Sequence, residues 1–340
     1  MKVALGNRPY DGPWGGGNRF VAALSEALKA QRHTVVHELT DSDIDIILLT
    51  DPRVRSPNVC FGAGAILRYL HWKNPNAIVV HRINECDERK GTHTMNARLR
   101  LANYCADHTT FIAGWLAKLA VWRDETPTST VFNGADERIF RRNSARPWDG
   151  KETLRIVTHH WGAHSNKGWD VYQKLDELIG SAEWKNRIAF TYIGNVPLGE
   201  ALKNAVCVRP LDGTELAAAL ADHHVYITAS INEPAGMHHI EGAMTGLPLI
   251  YRESGALPEY SAGFGVPFIG LDDFELALRR IMADYPNLAP RMRNYPWTAE
   301  RMTDEWIALF ESLLTERLAL VSRRRLLREP WTYMANQIPI

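Results

Sequence analysis

Two carboxylates punctuate the segment Glu233-Pro234-Ala235-Gly236-Met237-His238-His239-Ile240-Glu241, eight positions apart. Proline suits the first turn of a helix, so the spacing predicts a helix opening at Pro234, with Glu233 just outside it and Glu241 two turns inside. The rise per residue then separates the acids by about 12 Å, whereas a carboxylate pair acting on one glycosidic bond sits roughly 5 to 10 Å apart. The two acids therefore serve one extended molecule. That span matches a nucleotide sugar from hexose to ribose, with its diphosphate beside the amides of Gly236 and Met237 at the positive end of the helix. On this reading Glu241 holds the ribose hydroxyls and Glu233 the hexose.

The elements that must position these groups alternate along the chain. A strand at 2–6 is followed by the helical spacing of Phe20, Val21, Leu24, Ala27 and Leu28, then by strands at 34–39, 45–50, 77–81, 109–113 and 128–132 with helices at 63–72 and 95–106. An aperiodic Arg/Pro/Asp/Gly-rich stretch at 143–152 reads as a linker. The pattern then restarts, with strands at 154–159, 188–194, 205–209, 225–229 and 247–251 and helices at 169–179, 214–221, 235–245 and 272–283. Such alternation predicts an α/β protein of two Rossmann-like, doubly wound parallel sheets, 1–147 and 148–297, whose carboxyl-end crevices face a shared cleft. A long helix from Trp297 to about Leu320 opens a helical tail, 298–340, expected to cross back to the first domain. The tail contains Arg323-Arg324-Arg325, which reads first as a solvated helix end and second as a contact for a membrane surface.

Composition narrows the function classes. The 340 residues carry 39 Lys plus Arg against 39 Asp plus Glu, so no global field recruits nucleic acid, and any anion site must be local. No apolar run is long enough to span a bilayer, and the amino terminus turns polar at Asn7-Arg8 too early for a signal peptide, which leaves a cytoplasmic location as the expectation. The four cysteines, Cys60, Cys86, Cys105 and Cys207, show no Cys-x-x-Cys spacing and suit a reduced compartment.

The run from Glu233 to Glu241, continued by Gly242-Ala243-Met244, Gly246, Pro248, Gly255 and Glu259, resembles the E-x7-E region of family-4 glycosyltransferases of the GT-B fold. Val131-Phe132-Asn133-Gly134-Ala135-Asp136 with Phe140, Ser165-Asn166-Lys167-Gly168 and the glycine-rich Gly15-Gly16-Gly17 resemble three more family segments, in the family's order. The resemblance implies a retaining hexosyltransferase that uses a nucleoside diphosphate sugar, requires no metal and moves the sugar to an acceptor hydroxyl. It makes Lys167 the cation on the donor phosphates, where a positioned ammonium stabilises the departing diphosphate. Donor contacts would come from Gly16, Gly17, Lys167, Leu211, Glu233, Ala235, Gly236, Met237 and Glu241, with Leu211 beside the base through its backbone. His81, ending its strand, would donate to a sugar hydroxyl, or else be a buried structural histidine; Arg82 and Asn84 would shape the acceptor site. Asp136 is the counterpart of a family aspartate near the cleft, or a cap for its own turn. One departure stands out: the family's arginine five or six positions before the lysine is replaced here by Gly162 or Trp161. His159, His160 and His164, or Arg8 and Arg19 from the first domain, are the substitutes on offer.

Three rival readings exist. Gly15-x-Gly17 with Glu38 downstream suits a dinucleotide oxidoreductase, but Phe20 occupies the third glycine position. His238 and Glu241, one helical turn apart, suit a metallohydrolase. A non-catalytic sugar-nucleotide-binding module shares every feature above and differs only in turnover.

Overall fold

The computed structural model describes residues 1–10, 16–142 and 144–338. The chain divides into two units, one made of Met1–Asn133 with Glu300–Ile340 and the other of Gly134–Ala299.

In the first unit the elements run β1 (Lys2–Leu5), α1 (Gly16–Ala30), β2 (Thr34–Val36), β3 (Ile46–Leu49), α2 (Ala63–Trp72), β4 (Ile78–Ile83), α3 (Met95–Ala102), β5 (His108–Phe111) and β6 (Thr128–Thr130). The strands pair in parallel in the order β2-β1-β3-β4-β5-β6. Their residues alternate between two cores, as a period of two demands. Val3, Leu5, Ile46, Leu48, Ile78 and Val80 meet Phe20, Leu24 and Leu28 of α1 on one face. Ala4, Ile47, Leu49 and Val79 meet Ile66, Leu67 and Leu70 of α2 on the other.

The second unit repeats the plan with β7 (Leu154–His160), α4 (Trp169–Gly180), β8 (Ile188–Gly194), β9 (Val206–Val208), α5 (Gly213–Ala221), β10 (Val225–Thr228), α6 (Met237–Met244), β11 (Leu249–Arg252), α7 (Leu257–Ser261), β12 (Gly265–Phe268) and α8 (Leu271–Leu288). Its parallel order is β12-β11-β10-β7-β8-β9. From β7 the chain winds to one side through β8 and β9, then returns to β10 and winds to the other. The carboxyl ends of β7 and β10 are thus the topological switch point, where ligands of doubly wound sheets bind. Strand β12, which the sequence pattern does not announce, is an edge strand of four residues that tolerates Pro267.

The stretch expected as a linker is part of the second unit. Ala145 N donates to Thr245 O at 3.0 Å, Arg146 N to Ala221 O at 3.2 Å and Trp148 N to Tyr285 Oη at 3.0 Å. The first unit accordingly ends at Asn133 rather than at 147, and Asn143 lies outside the described residues.

The tail beyond the second unit belongs to the first. The single helix expected from 297 to 320 is instead α9 (Ala299–Thr315) and α10 (Arg317–Arg323), interrupted at Glu316, and α11 (Pro330–Asn336) follows. Trp306 and Phe310 of α9 enter the core beside Phe20, with the Trp306 and Phe20 ring centroids 5.4 Å apart. Arg324 turns inward: Nε donates to Asp107 Oδ1 at 2.9 Å, Nη1 to Pro75 O and Nη2 to Ala77 O, both at 2.6 Å. That arginine is a buried anchor and is withdrawn from any surface contact.

Candidate functional site

At the switch point of the second unit, β7 ends on His159 and His160 and β10 ends on Thr228, each nearly or fully buried. The chain leaves β7 through a 3-10 turn, Ser165–Lys167, and enters α4 at Gly168. Gly168 has φ +93°, and a Cβ there would stand 2.3 Å from the Ala229 Cβ, so the turn carrying Lys167 presses onto the end of β10 only because this residue is glycine. Ile231 N donates to Asn166 O at 2.8 Å and fastens the two loops together. On the far side, Ala256 N donates to Glu233 O at 2.8 Å, and a side chain at Gly255 would strike the Glu233 backbone.

Those loops bring the sequence-predicted cation and acid together. Lys167 Nζ donates to Glu233 Oε2 at 2.6 Å, with the residues 7% and 2% exposed. Two buried opposite charges at this distance hold each other's geometry. The second acid has its own partner. His159 Nε2 lies 2.9 Å from Glu241 Oε2, and since a carboxylate only accepts, Nε2 carries the proton. His159 Nδ1 is 3.2 Å from Tyr226 Oη, so histidine and tyrosine together orient Glu241.

His160, His238 and His239 are buried beside this pair. His160 Nε2 shares a 2.6 Å hydrogen bond with Tyr172 Oη, and His238 Nε2 shares one of 2.9 Å with Thr228 Oγ1. Burial drives both rings well below the ordinary histidine pKa; the charge on Lys167 adds to the shift in His160, and the neighbouring His160 and then Lys167 add to it in His238. Burial brings His239 down to about 4. His160 therefore cannot stand in for the missing arginine as a cation. Arg8 faces Glu38 at 3.5 Å at the surface of the first unit. Among the described residues no group of three His, Cys, Asp or Glu side chains is arranged to hold a metal ion.

The ruler behind the 12 Å spacing does not survive. Helix α6 begins at Met237, not at Pro234, because Gly236 is its extended cap, with φ −67° and ψ 148°, and Glu233 to Gly236 form an irregular strap. Glu241 sits one turn into the helix. Gly236 and Met237 are half-buried at the helix start, whereas Ala235 is buried at 4% exposure. Leu211 is half-buried in the loop before α5.

The first-unit candidates fare differently. Strand β4 runs two residues past His81, which is fully buried and 3.0 Å through Nδ1 from Asn103 Nδ2; burial alone lowers its pKa to about 3. His81 is thus a buried strand histidine two residues short of the strand's end, not its last residue. Arg82 is also buried: Nη2 donates to Asn133 Oδ1 at 3.0 Å, and the guanidinium lies over the Phe20 ring. Asn84, just past the strand, is half-buried. Asp136, in the second unit, accepts Arg138 N and Nε at 2.9 and 3.0 Å, which makes it a turn cap whose pKa the Arg138 hydrogen bond lowers. Gly16 and Gly17 open α1, and a Cβ at Gly17 would meet nothing within 4 Å; Gly15 lies outside the described residues. Tyr226 and Thr228, which complete the Glu241 and His238 contacts, were marked in the sequence only by their places in an apolar strand.

Two doubly wound parallel units in series, with a charged switch-point site in the second, define the GT-B fold. No protein-family model matches the chain, and no curated protein does. Solved structures do match. Sucrose-phosphate synthase from Thermosynechococcus elongatus aligns over 93% of this chain and 99% of its own, at 16% identity and a TM-score of 0.61. HepE of Anabaena, solved in complex with UDP, aligns over 92% and 100%, at 12% identity and a TM-score of 0.67. AviGT4, a glycosyltransferase involved in avilamycin A biosynthesis, aligns over 93% and 98%, at 16% identity and a TM-score of 0.60. Likeness at this identity establishes the fold.

Proposed function

We propose that the chain is a retaining glycosyltransferase that moves a hexosyl unit from a nucleoside diphosphate sugar to an acceptor hydroxyl, without a required metal. The observation that carries this reading is the buried Lys167–Glu233 pair at the switch point, formed by residues of two separate family-like segments. Lys167 supplies the positive charge that a departing diphosphate needs, and the amides of Gly236 and Met237 add the dipole end of α6. Glu233 holds the ammonium in place and accepts from hexose hydroxyls. Glu241, oriented by His159, accepts from the ribose. The acceptor oxygen attacks the anomeric carbon on the face the diphosphate leaves, and the leaving phosphate oxygen takes the hydroxyl proton. For the acceptor, Asn84 is the candidate that remains, since Arg82 and Asp136 are engaged with partners in their own units.

Uridine is the base to test first, because HepE was solved with UDP and with UDP-glucose, and a structurally similar trehalose-phosphate synthase from Burkholderia xenovorans is UDP-forming. Calorimetry with uridine, guanosine and adenosine diphosphates, followed by turnover of the matching hexose conjugates, tests the reading. One diphosphate should bind, and Lys167→Met should lower turnover about a hundredfold while the chain stays folded. Wild-type turnover in Lys167→Met overturns the assignment. Nucleotide-sugar binding without turnover for any acceptor would favour the non-catalytic module.

A further inference from the structure

Helix α11 is inverted for a helix on a protein surface. Its inward side chains are Asn336, whose Nδ2 donates to Leu101 O at 3.1 Å, and Tyr333, which packs on the core that holds Ile66 and Leu70 of α2. Its outward residues are Trp331, Met334 and, just past its end, Ile338, which are 86%, 60% and 64% exposed. Offsets of three and four place them on one stripe. From Pro330 to Ile340 the sequence contains no Asp, Glu, Lys or Arg. A water-facing stripe without charge marks a contact surface.

The residues just before it supply the charge. Arg324 is buried against Asp107, but Arg323 and Arg325 are exposed, and among the described residues no carboxylate pairs with either. Arg328 lies over the Tyr104 ring and reaches Glu125 at 3.3 Å. Glu329, the lone acid between Arg323 and Ile340, is engaged by Thr332 and Arg123. Leu327, 56% exposed, extends the apolar surface between the arginines. An apolar stripe with a tryptophan, bordered by unneutralised arginines, fits the boundary between headgroups and acyl chains: arginines on phosphates, tryptophan at headgroup level, methionine and isoleucine below.

We propose that α11 and the arginines preceding it dock the chain on an anionic bilayer surface. A second copy fits less well, since an isologous contact through this face would oppose arginine to arginine, and one short helix offers far less than the roughly 800 Å² per partner of a standard interface. The inference does not depend on the donor-site reading.

Co-sedimentation of the full chain with phosphatidylcholine vesicles, with or without phosphatidylglycerol, tests it. The chain should partition onto the anionic vesicles at least about tenfold more strongly, and added salt should weaken binding. Trp331→Ser with Met334→Ser, and separately Arg323→Glu with Arg325→Glu, should each reduce partitioning on the order of tenfold. All four positions are exposed, so melting temperature and nucleotide binding should not change. The proposal is overturned if the chain binds neither vesicle or if both double variants partition like the parent. It is also overturned by a concentration-dependent dimer that Trp331→Ser with Met334→Ser abolishes in a chain that ignores vesicles, which assigns the stripe to a second copy.

Discussion

A buried ammonium and a buried carboxylate 2.6 Å apart are each tolerable only because the other is there. Removing one partner from such a pair leaves an uncompensated charge and typically costs 3 to 5 kcal/mol, whereas replacing both with apolar groups of similar volume is often neutral. Lys167→Ala should therefore lower the unfolding free energy by about 3 kcal/mol, and Lys167→Met combined with Glu233→Leu should restore most of it. Urea titration of the three chains checks this, and a double variant no more stable than Lys167→Ala would mean that the two side chains are not coupled. The same comparison separates a structural loss from a chemical one, because the restored chain should still lack turnover. At this scale the sequence was legible in part. The identities of Lys167, Glu233 and Glu241 could be read from their local motifs, but their partners could not, since Lys167 meets Glu233 across 66 positions and His159 meets Glu241 across 82. His81 was misplaced because a strand's end is the least certain thing a hydrophobic pattern states: two more buried residues, Arg82 and Ile83, carry β4 onward.

Elements position these groups through glycines whose roles differ although their chemistry is identical. Gly168 combines a left-handed φ of +93° with a missing Cβ that would press on Ala229 at 2.3 Å. Gly17, in the first turn of α1, has neither constraint. Gly168→Ala should cost at least about 2 kcal/mol, because strain and a backbone clash add. Gly17→Ala should leave stability unchanged or raise it by about 0.5 kcal/mol, because alanine is the better helix former. If backbone at Gly17 must approach a ligand, that same variant should lose turnover with no loss of stability, so melting and activity are measured on one preparation. Equal destabilisation by both substitutions would contradict the packing described. The alternation of strand and helix was readable because the inner strands of both sheets, such as β3, β4, β10 and β11, are buried on two faces. What escaped has a local cause: β12 is four residues with a proline at a sheet edge, α9 breaks at Glu316 with no proline or glycine to announce it, and α6 starts late because an extended glycine precedes it.

Across the whole molecule, buried neutral histidines set the acid limit of stability. His81 and His108 in the first unit are held at about 3 and 4 by burial; His239 in the second is held at about 4, and His160 and His238 lie well below the ordinary value. In the unfolded chain each titrates near 6.5. The folded form therefore binds fewer protons than the unfolded one wherever the pH lies between those limits, and stability rises with pH there. Above 6.5 both forms are neutral and the term is fully present; as the pH falls, each histidine removes about 1.4 kcal/mol per pH unit until its folded pKa is reached. Carboxylates whose pKa values are lowered, such as Asp136, act in the same direction but only below the ordinary carboxylate range, so the interval from about pH 6.5 to pH 5 isolates the histidines. Because the affected rings lie in both units, the acid loss should appear in every unfolding transition that denaturant resolves, not in one alone. Urea midpoints measured across that interval should fall steeply, and His81→Asn, with a side chain of similar reach to face Asn103, should flatten the slope by about one proton's worth. A midpoint that stays level down to pH 5 would mean that these rings gain protons inside the folded chain, which requires water in cores the structure shows closed.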